Sequence, residues 1–256
     1  MLAFALAVVA GGCTSSGGES GEAGRGSAHE LTVSAASSLA NAFTDIGHAF
    51  ERRNPDVTVR FNFGASDTLA NQIDEGAPVD VFASASPTWM DAVQHDGPGV
   101  TERADFARNK LAIIVPTDDP ADVSKLEDLT DDGVKVVIAA EGVPAGDYAR
   151  EIFDDAGITD AVMANVVSNE EDVRAVVTKV LSGDADAGVT YVTDVTPDIA
   201  DRITLVEIPD DQNVIATYPI AVVSGSREAD LAKRFVHFVL DDGGHTLARY
   251  GFVPAA

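Results

Sequence analysis

From Leu31 onward, short apolar runs alternate with segments whose apolar residues recur at helical spacing, and few folds accommodate that pattern. Leu31 to Ala36, Val57 to Phe63, Val79 to Ser84, Val134 to Ala139, Gly188 to Tyr191, Ile203 to Ile208 and Ile215 to Val223 read as strands. Leu111 to Val115 is almost wholly apolar and closed by Pro116, which predicts a strand buried on both faces. Leu39, Ala42, Phe43, Ile46, Ala49 and Phe50 mark a helix that stops before Asn54-Pro55. Further helices are expected from Leu69 to Ile73, Pro87 to Val93, Ala145 to Asp155, Glu171 to Leu181 and Glu228 to Leu240. The alternation predicts an α/β protein with mainly parallel sheets, large enough for one big domain or two lobes.

The charge balance narrows the partners. Against 42 Asp and Glu stand 17 Lys and Arg, a formal net charge of -25, so the clustered cations that nucleic-acid phosphates require are missing. The acids are scattered over the whole length and read as a solvated surface, whose field repels anions at a distance. Any anion site has to work through local donors.

The N-terminus has a separate logic. Leu2 to Ala10 is an apolar run too short to span a bilayer but of the length of a signal-peptide core, and it ends in Ala10-Gly11-Gly12-Cys13. Small residues before a lone cysteine form a lipobox pattern. Residues 1–12 are therefore expected to be a signal peptide and Cys13 the lipidated residue. Thr14 to His29 is dominated by Ser, Gly and Glu without apolar periodicity and predicts a flexible tether, so that 13–30 links a membrane anchor to a globular domain outside the membrane. With Cys13 the only cysteine, no intrachain disulfide can form.

Catalytic patterns are missing from the sequence. His29, His48, His95, His237 and His245 form no metal-binding spacing, and neither a Walker loop nor GxGxxG occurs. Gly64-Ala65-Ser66-Asp67-Thr68 approaches a nucleophile elbow, but Thr68 stands where the closing glycine belongs. What does recur is a strand leading into a helix whose first turn is small or polar: at Ser37-Ser38, at Ser66, at Pro144-Ala145-Gly146 and at Glu170 to Val173. Helix starts carry unpaired N–H groups and the positive end of the helix dipole, so converging starts bind an anion without Lys or Arg. A serine at any one of them is ordinarily just a cap.

These residues sit in longer strings. Val33-Ser34-Ala35-Ala36-Ser37-Ser38-Leu39, Ser66-Asp67-Thr68-Leu69-Ala70-Asn71-Gln72-Ile73 and Gly76-Ala77-Pro78-Val79-Asp80-Val81-Phe82-Ala83-Ser84-Ala85 resemble the periplasmic molybdate-binding proteins of molybdate ABC importers. The likeness continues through Trp89-Met90, Val143 to Ala149, Glu171 to Arg174, Gly188 to Tyr191, Tyr218 to Val223 and Arg249 to Phe252. It implies a type II periplasmic-binding-protein fold, with one lobe of residues 31–113 plus 219–256, a second of 114–218, and a ligand cleft between them.

The resemblance further implies Ser38, Ser66, Ala145, Val173 and Tyr191 as ligand residues: the serines and Tyr191 through hydroxyl groups, Ala145 and Val173 through backbone N–H. It implies molybdate or tungstate as ligand, with molybdenum held as an oxyanion rather than a free cation, no cofactor, and no catalysis. The partners it implies are an ABC permease with its ATPase, met by a monomer anchored on the outer face of the membrane.

On residues alone, Tyr191 equally fits a packed aromatic, Val173 a core residue, and Glu170, Glu171 and Asp172 a solvated first turn. Ser37 competes with Ser38 for its role, and a cleft-facing Asp67 would weaken an anion site. Two alternatives follow: a sulfate- or thiosulfate-type receptor of the same fold, and a serine hydrolase using Ser66.

Overall fold

The computed structural model describes residues 29–255; the signal peptide, Cys13 and nearly all of the tether expected from the sequence lie outside them. The chain runs β1 (His29–Ala36), a 3-10 turn (Ser37–Leu39), α1 (Ala40–Arg53), β2 (Val57–Gly64), α2 (Ser66–Asp74), β3 (Val81–Ala83), α3 (Pro87–His95) and β4 (Val100–Pro116). There follow β5 (Val136–Ala139), α4 (Pro144–Asp155), α5 (Thr159–Asn165), β6 (Val166–Glu170), α6 (Val173–Ser182), β7 (Ala187–Tyr191) and a 3-10 turn (Val192–Asp194). The chain closes with β8 (Ile203–Glu207), β9 (Ile215–Val223), α7 (Ala229–Asp241), α8 (Gly244–Arg249) and β10 (Val253–Pro254).

The strands lie in the order β2-β1-β3-β9-β4-β7-β5-β6, with β8 and β10 also paired to β4. Among the described residues, parallel pairing is confined to β1 with β2 and β3, and to β5 with β6 and β7. β4 and β9 run antiparallel to every neighbour they have. The sheet is thus mixed where the alternation predicted mainly parallel strands, because two strands cross between the βα halves and reverse direction relative to both.

β4 joins the halves. Its Val100–Lys110 stretch pairs with β9, and its Leu111–Ile114 stretch pairs with β7. Leu111 to Val115 is completely buried, as its unbroken apolar run requires. Each helix lays an apolar stripe on the sheet: Ala42, Phe43, Ile46 and Phe50 of α1, and Val173, Val176, Val177 and Val180 of α6. Phe43 meets Phe61, Phe106 and Phe235 edge-on or tilted, with ring centroids 5.6–6.4 Å apart, so the aromatic packing anchors α1. Gly183, at φ +76°, ends α6 in the left-handed conformation that glycine adopts without strain.

Two helix starts differ from expectation. α2 begins at Ser66, three residues earlier than the apolar spacing indicates, and α6 begins at Val173 because Glu170 still belongs to β6. In α6, Asp172 is the N-cap: its Oδ1 accepts from Arg174 N–H at 2.8 Å and Ala175 N–H at 3.0 Å. Its carboxylate is therefore a built cap rather than a solvated first-turn acid.

Candidate functional site

The C-terminal ends of β1, β2 and β7 and the starts of α2, α4 and α6 meet at one small cavity. Ser38, Ser66, Ala145, Val173 and Tyr191 all line it, and Ser37 lines it beside Ser38. The rest of the wall is Ala36, Gly64, Ala65, Ala85, Val143 and Pro144, so it contains no charged residue. Asp67 is not part of that wall. Its carboxylate stands by the Gly142 loop, where Oδ1 is shielded from solvent without a hydrogen-bond partner.

The five candidate ligand residues each present a donor, and the local structure explains why. Neither serine caps its own helix. Ser66, the first residue of α2, accepts the Ala85 N–H on Oγ at 2.9 Å, which leaves its O–H to donate. Ser38 Oγ lies 3.0 Å from the hydroxyl of Tyr218, a residue of β9.

Backbone donors follow from accounting for the first turns. In α4, Pro144 has no N–H, while the Gly146 and Asp147 N–H groups go to Val143 O; Ala145 N–H is left over. In α6, the Asp172 carboxylate takes the second and third N–H groups, and Val173 N–H is left over.

Gly146 permits that geometry. A Cβ there would collide with the carbonyl oxygens of Ala139 and Ala140, so only glycine lets α4 start this close to the end of β5. Arg150 then donates to Ala139 O and Gly146 O, tying helix to strand.

Tyr191 is 1% exposed, and its hydroxyl has no hydrogen-bond partner among the described residues. Burial first, and the neighbouring Tyr218 second, raise its pKa well above the ordinary phenol value, so it stays a neutral O–H donor. Its ring packs edge-on against Tyr218 at 5.8 Å, which means it is a packed aromatic and an unspent donor together. A buried unpaired hydroxyl costs about 1–3 kcal/mol, and a bound acceptor would remove that cost.

Trp89 Nε1 of α3 donates to Gly142 O at 2.8 Å and links α3 to the loop before α4. A second, larger hollow of about 220 Å³ adjoins the first at Ser37 and Ser38 and is bordered by Arg174, Asp194 and Asp198. Burial pushes the Asp194 carboxyl up to about 6, against the downward pull of the Thr190 hydroxyl and Tyr191 N–H.

Sequence reading did not single out Tyr218, Asn109 or the Ala85 N–H as partners of the site. Tyr218 stands within one of the resembling strings, yet its polar end signals nothing from within an apolar strand. Ser66, the candidate nucleophile, is hydrogen-bonded to a backbone N–H rather than to an imidazole that could take its proton.

A mixed α/β sheet crossed by two shared strands, with a donor-lined cavity where its halves meet, defines a solute-binding protein of the type II periplasmic-binding fold. The chain belongs to the bacterial extracellular solute-binding protein family, whose model matches residues 31–253. Members of this transport family bind solutes, and the protein is not an enzyme. It is 38% identical over 220 residues to the molybdate-binding protein ModA of Mycobacterium tuberculosis, covering 86% of this chain and 82% of that one. Among solved structures, the substrate-binding domain of a putative molybdenum ABC transporter from Clostridium difficile is 33% identical, with a TM-score of 0.67 and coverage of 89% and 99%. The sulfate-binding protein SubI of Mycobacterium tuberculosis shares the fold at TM-score 0.75 and 17% identity, over 89% of this chain and 87% of that one.

Proposed function

We propose that this protein captures molybdate, and also tungstate, outside the cell membrane and delivers it to an ABC permease driven by an ATPase. The observation that carries the reading is the neutral, donor-only lining of the cavity at Ser38, Ser66, Ala145, Val173 and Tyr191. Molybdate and tungstate are fully deprotonated dianions near neutral pH, so every oxygen accepts and none donates. Such an ion satisfies all five donors, whereas hydrogen phosphate brings a proton that meets another donor. Sulfate is also a bare dianion, and its rejection rests on cavity size.

The 38% identity to a molybdate-binding protein over most of both chains supports molybdate over sulfate, because the sulfate-binding relative resembles the chain in fold only. The lobes of this reading are 31–113 plus 219–256 and 114–218; β4 changes partner between Lys110 and Leu111, three residues before that boundary, which supports a division along β4. Closure brings the serine side against the side of Ala145, Val173 and Tyr191, as in a hinged trap. The protein acts as a monomer held to the outer face of the membrane by a lipid on Cys13, a reading supported by the apolar run and lipobox pattern of residues 2–13.

The test is thermal unfolding with molybdate, tungstate, sulfate and phosphate in turn. A ligand at 100 times its Kd adds about 2.7 kcal/mol. A rise in Tm with molybdate and tungstate alone is expected; a rise with sulfate alone, or none, overturns the ligand.

A further inference from the structure

The Ser38 hydroxyl is one end of a buried chain that crosses from β4 to β9. Asn109 of β4 is 3% exposed; its Oδ1 accepts the Lys110 N–H at 3.0 Å, and a backbone N–H can only donate. That bond fixes the orientation of the amide, so both hydrogens of Nδ2 point away from it. One goes to Thr193 Oγ1 at 2.8 Å and the other to Tyr218 Oη at 3.3 Å. Tyr218 is completely buried and its oxygen accepts from Asn109; its hydroxyl lies 3.0 Å from Ser38 Oγ, where either oxygen can be the donor, and the chain runs one way when Tyr218 donates. Ser38 Oγ, in turn accepting, keeps its own hydrogen for the cavity.

Resting on the reading of the cavity as an oxyanion site, we propose that Asn109 and Tyr218 are specificity-determining positioning residues, whose hydrogen-bond chain, with Tyr218 donating to Ser38, turns the Ser38 hydrogen toward the cavity. Without that chain a serine hydroxyl rotates freely and can donate to a bare oxygen or accept from a protonated one. With Tyr218 donating to it, Ser38 has one lone pair occupied and its hydrogen turned to the cavity, so the chain favours oxyanions that carry no proton. Asn109 also reaches Thr193, two residues beyond Tyr191, so one amide braces both the serine and the tyrosine sides of the cavity.

The experiment is a double-mutant cycle on the full protein, with Tyr218→Phe and Ser38→Ala, read by calorimetric titration with molybdate and with phosphate at pH 7. Tyr218→Phe keeps the ring and its edge-on contacts with Tyr191, Phe106 and Phe252. It is expected to raise the molybdate Kd about fivefold or more, the worth of one hydrogen bond, and to narrow the molybdate-to-phosphate ratio. In the Ser38→Ala background it is expected to change neither. Asn109→Asp is the second variant: a carboxylate oxygen in place of Nδ2 draws the Tyr218 hydrogen to itself, turns the chain around and narrows the ratio further. Losses from Tyr218→Phe and Ser38→Ala that multiply independently, or a ratio unchanged in both Tyr218→Phe and Asn109→Asp, overturn the proposal alone. A Ser38→Ala variant that binds molybdate like the unaltered protein overturns the site reading and this chain together.

Discussion

Two hollows meet at Ser37 and Ser38, and they handle charge in opposite ways. The smaller has no charged residue in its wall and offers hydroxyl and leftover backbone donors; the larger sets the exposed Arg174 against Asp194 and Asp198. A cation on the surface attracts any anion and is screened by salt, while fixed neutral donors favour one shape and one protonation state. The contrast shows how a protein of net charge -25 can bind a dianion: attraction at a distance is given up, and the site acts only after arrival.

The most direct way to break this contrast is to remove the neutral donors. Ser38→Ala and Ser66→Ala are each expected to cost about 1.5–3 kcal/mol of molybdate binding, the range for hydrogen bonds to charged groups. Calorimetric titration reads this as a Kd raised from about tenfold to above a hundredfold, and unchanged affinity in both would remove the serines from the site.

Gly146→Ala comes next. Its Cβ has to displace the carbonyls of Ala139 and Ala140, so about 1–3 kcal/mol of stability is expected to go in urea unfolding, and molybdate affinity with it as Ala145 N–H shifts. An equally stable variant that binds normally would show that the close approach of α4 to β5 does not matter.

Asp194 sharpens the comparison from the charged side. Its carboxyl titrates near 6 when folded and near 3.8 when unfolded, so the folded state holds the proton between those values. Its contribution to stability is greatest below about pH 4, falls as pH rises to about 6, and is flat above. Two pK units correspond to about 3 kcal/mol; Asp194 is partly open to the larger hollow, so about 1–2 is expected. Urea unfolding of the protein and of Asp194→Asn from pH 4 to 8 measures the difference, and parallel curves would contradict the assignment.

The smallest effect belongs to Arg174→Ala. Its side chain borders the larger hollow only, so the molybdate Kd is expected to move by less than about threefold in calorimetry, within the range of surface substitutions. A loss as large as that of Ser38→Ala would move the anion to the charged hollow.

Much of the fold could be read from periodicity. Ile215 to Val223 is a strand with the expected ends, and Leu111 to Val115 is buried as its composition requires. The first half of β4 was not legible, because Val100 to Lys110 shows no regular apolar alternation and gets its order from pairing with β9. α5 and β6 escaped for a similar reason: β6 never becomes fully buried, and Val167 is 55% exposed.

At the site, the resemblance indicated five residues that do meet, while residue-level reasoning read the serines as candidate caps. Their actual partners, Tyr218 and the Ala85 N–H, lie 180 and 19 residues away. Periodicity reports which face of an element is apolar; it cannot report which distant strand delivers a hydroxyl.

The account's central claim is that the anion sits in the neutral cavity. Anomalous diffraction at the molybdenum absorption edge, from crystals grown with molybdate, tests it most directly. The account predicts one peak in the neutral cavity, placed so that molybdate oxygens lie about 2.6–3.2 Å from the donors of Ser38, Ser66 and Tyr191. A peak beside Arg174 in the larger hollow, with the neutral cavity empty, would contradict it.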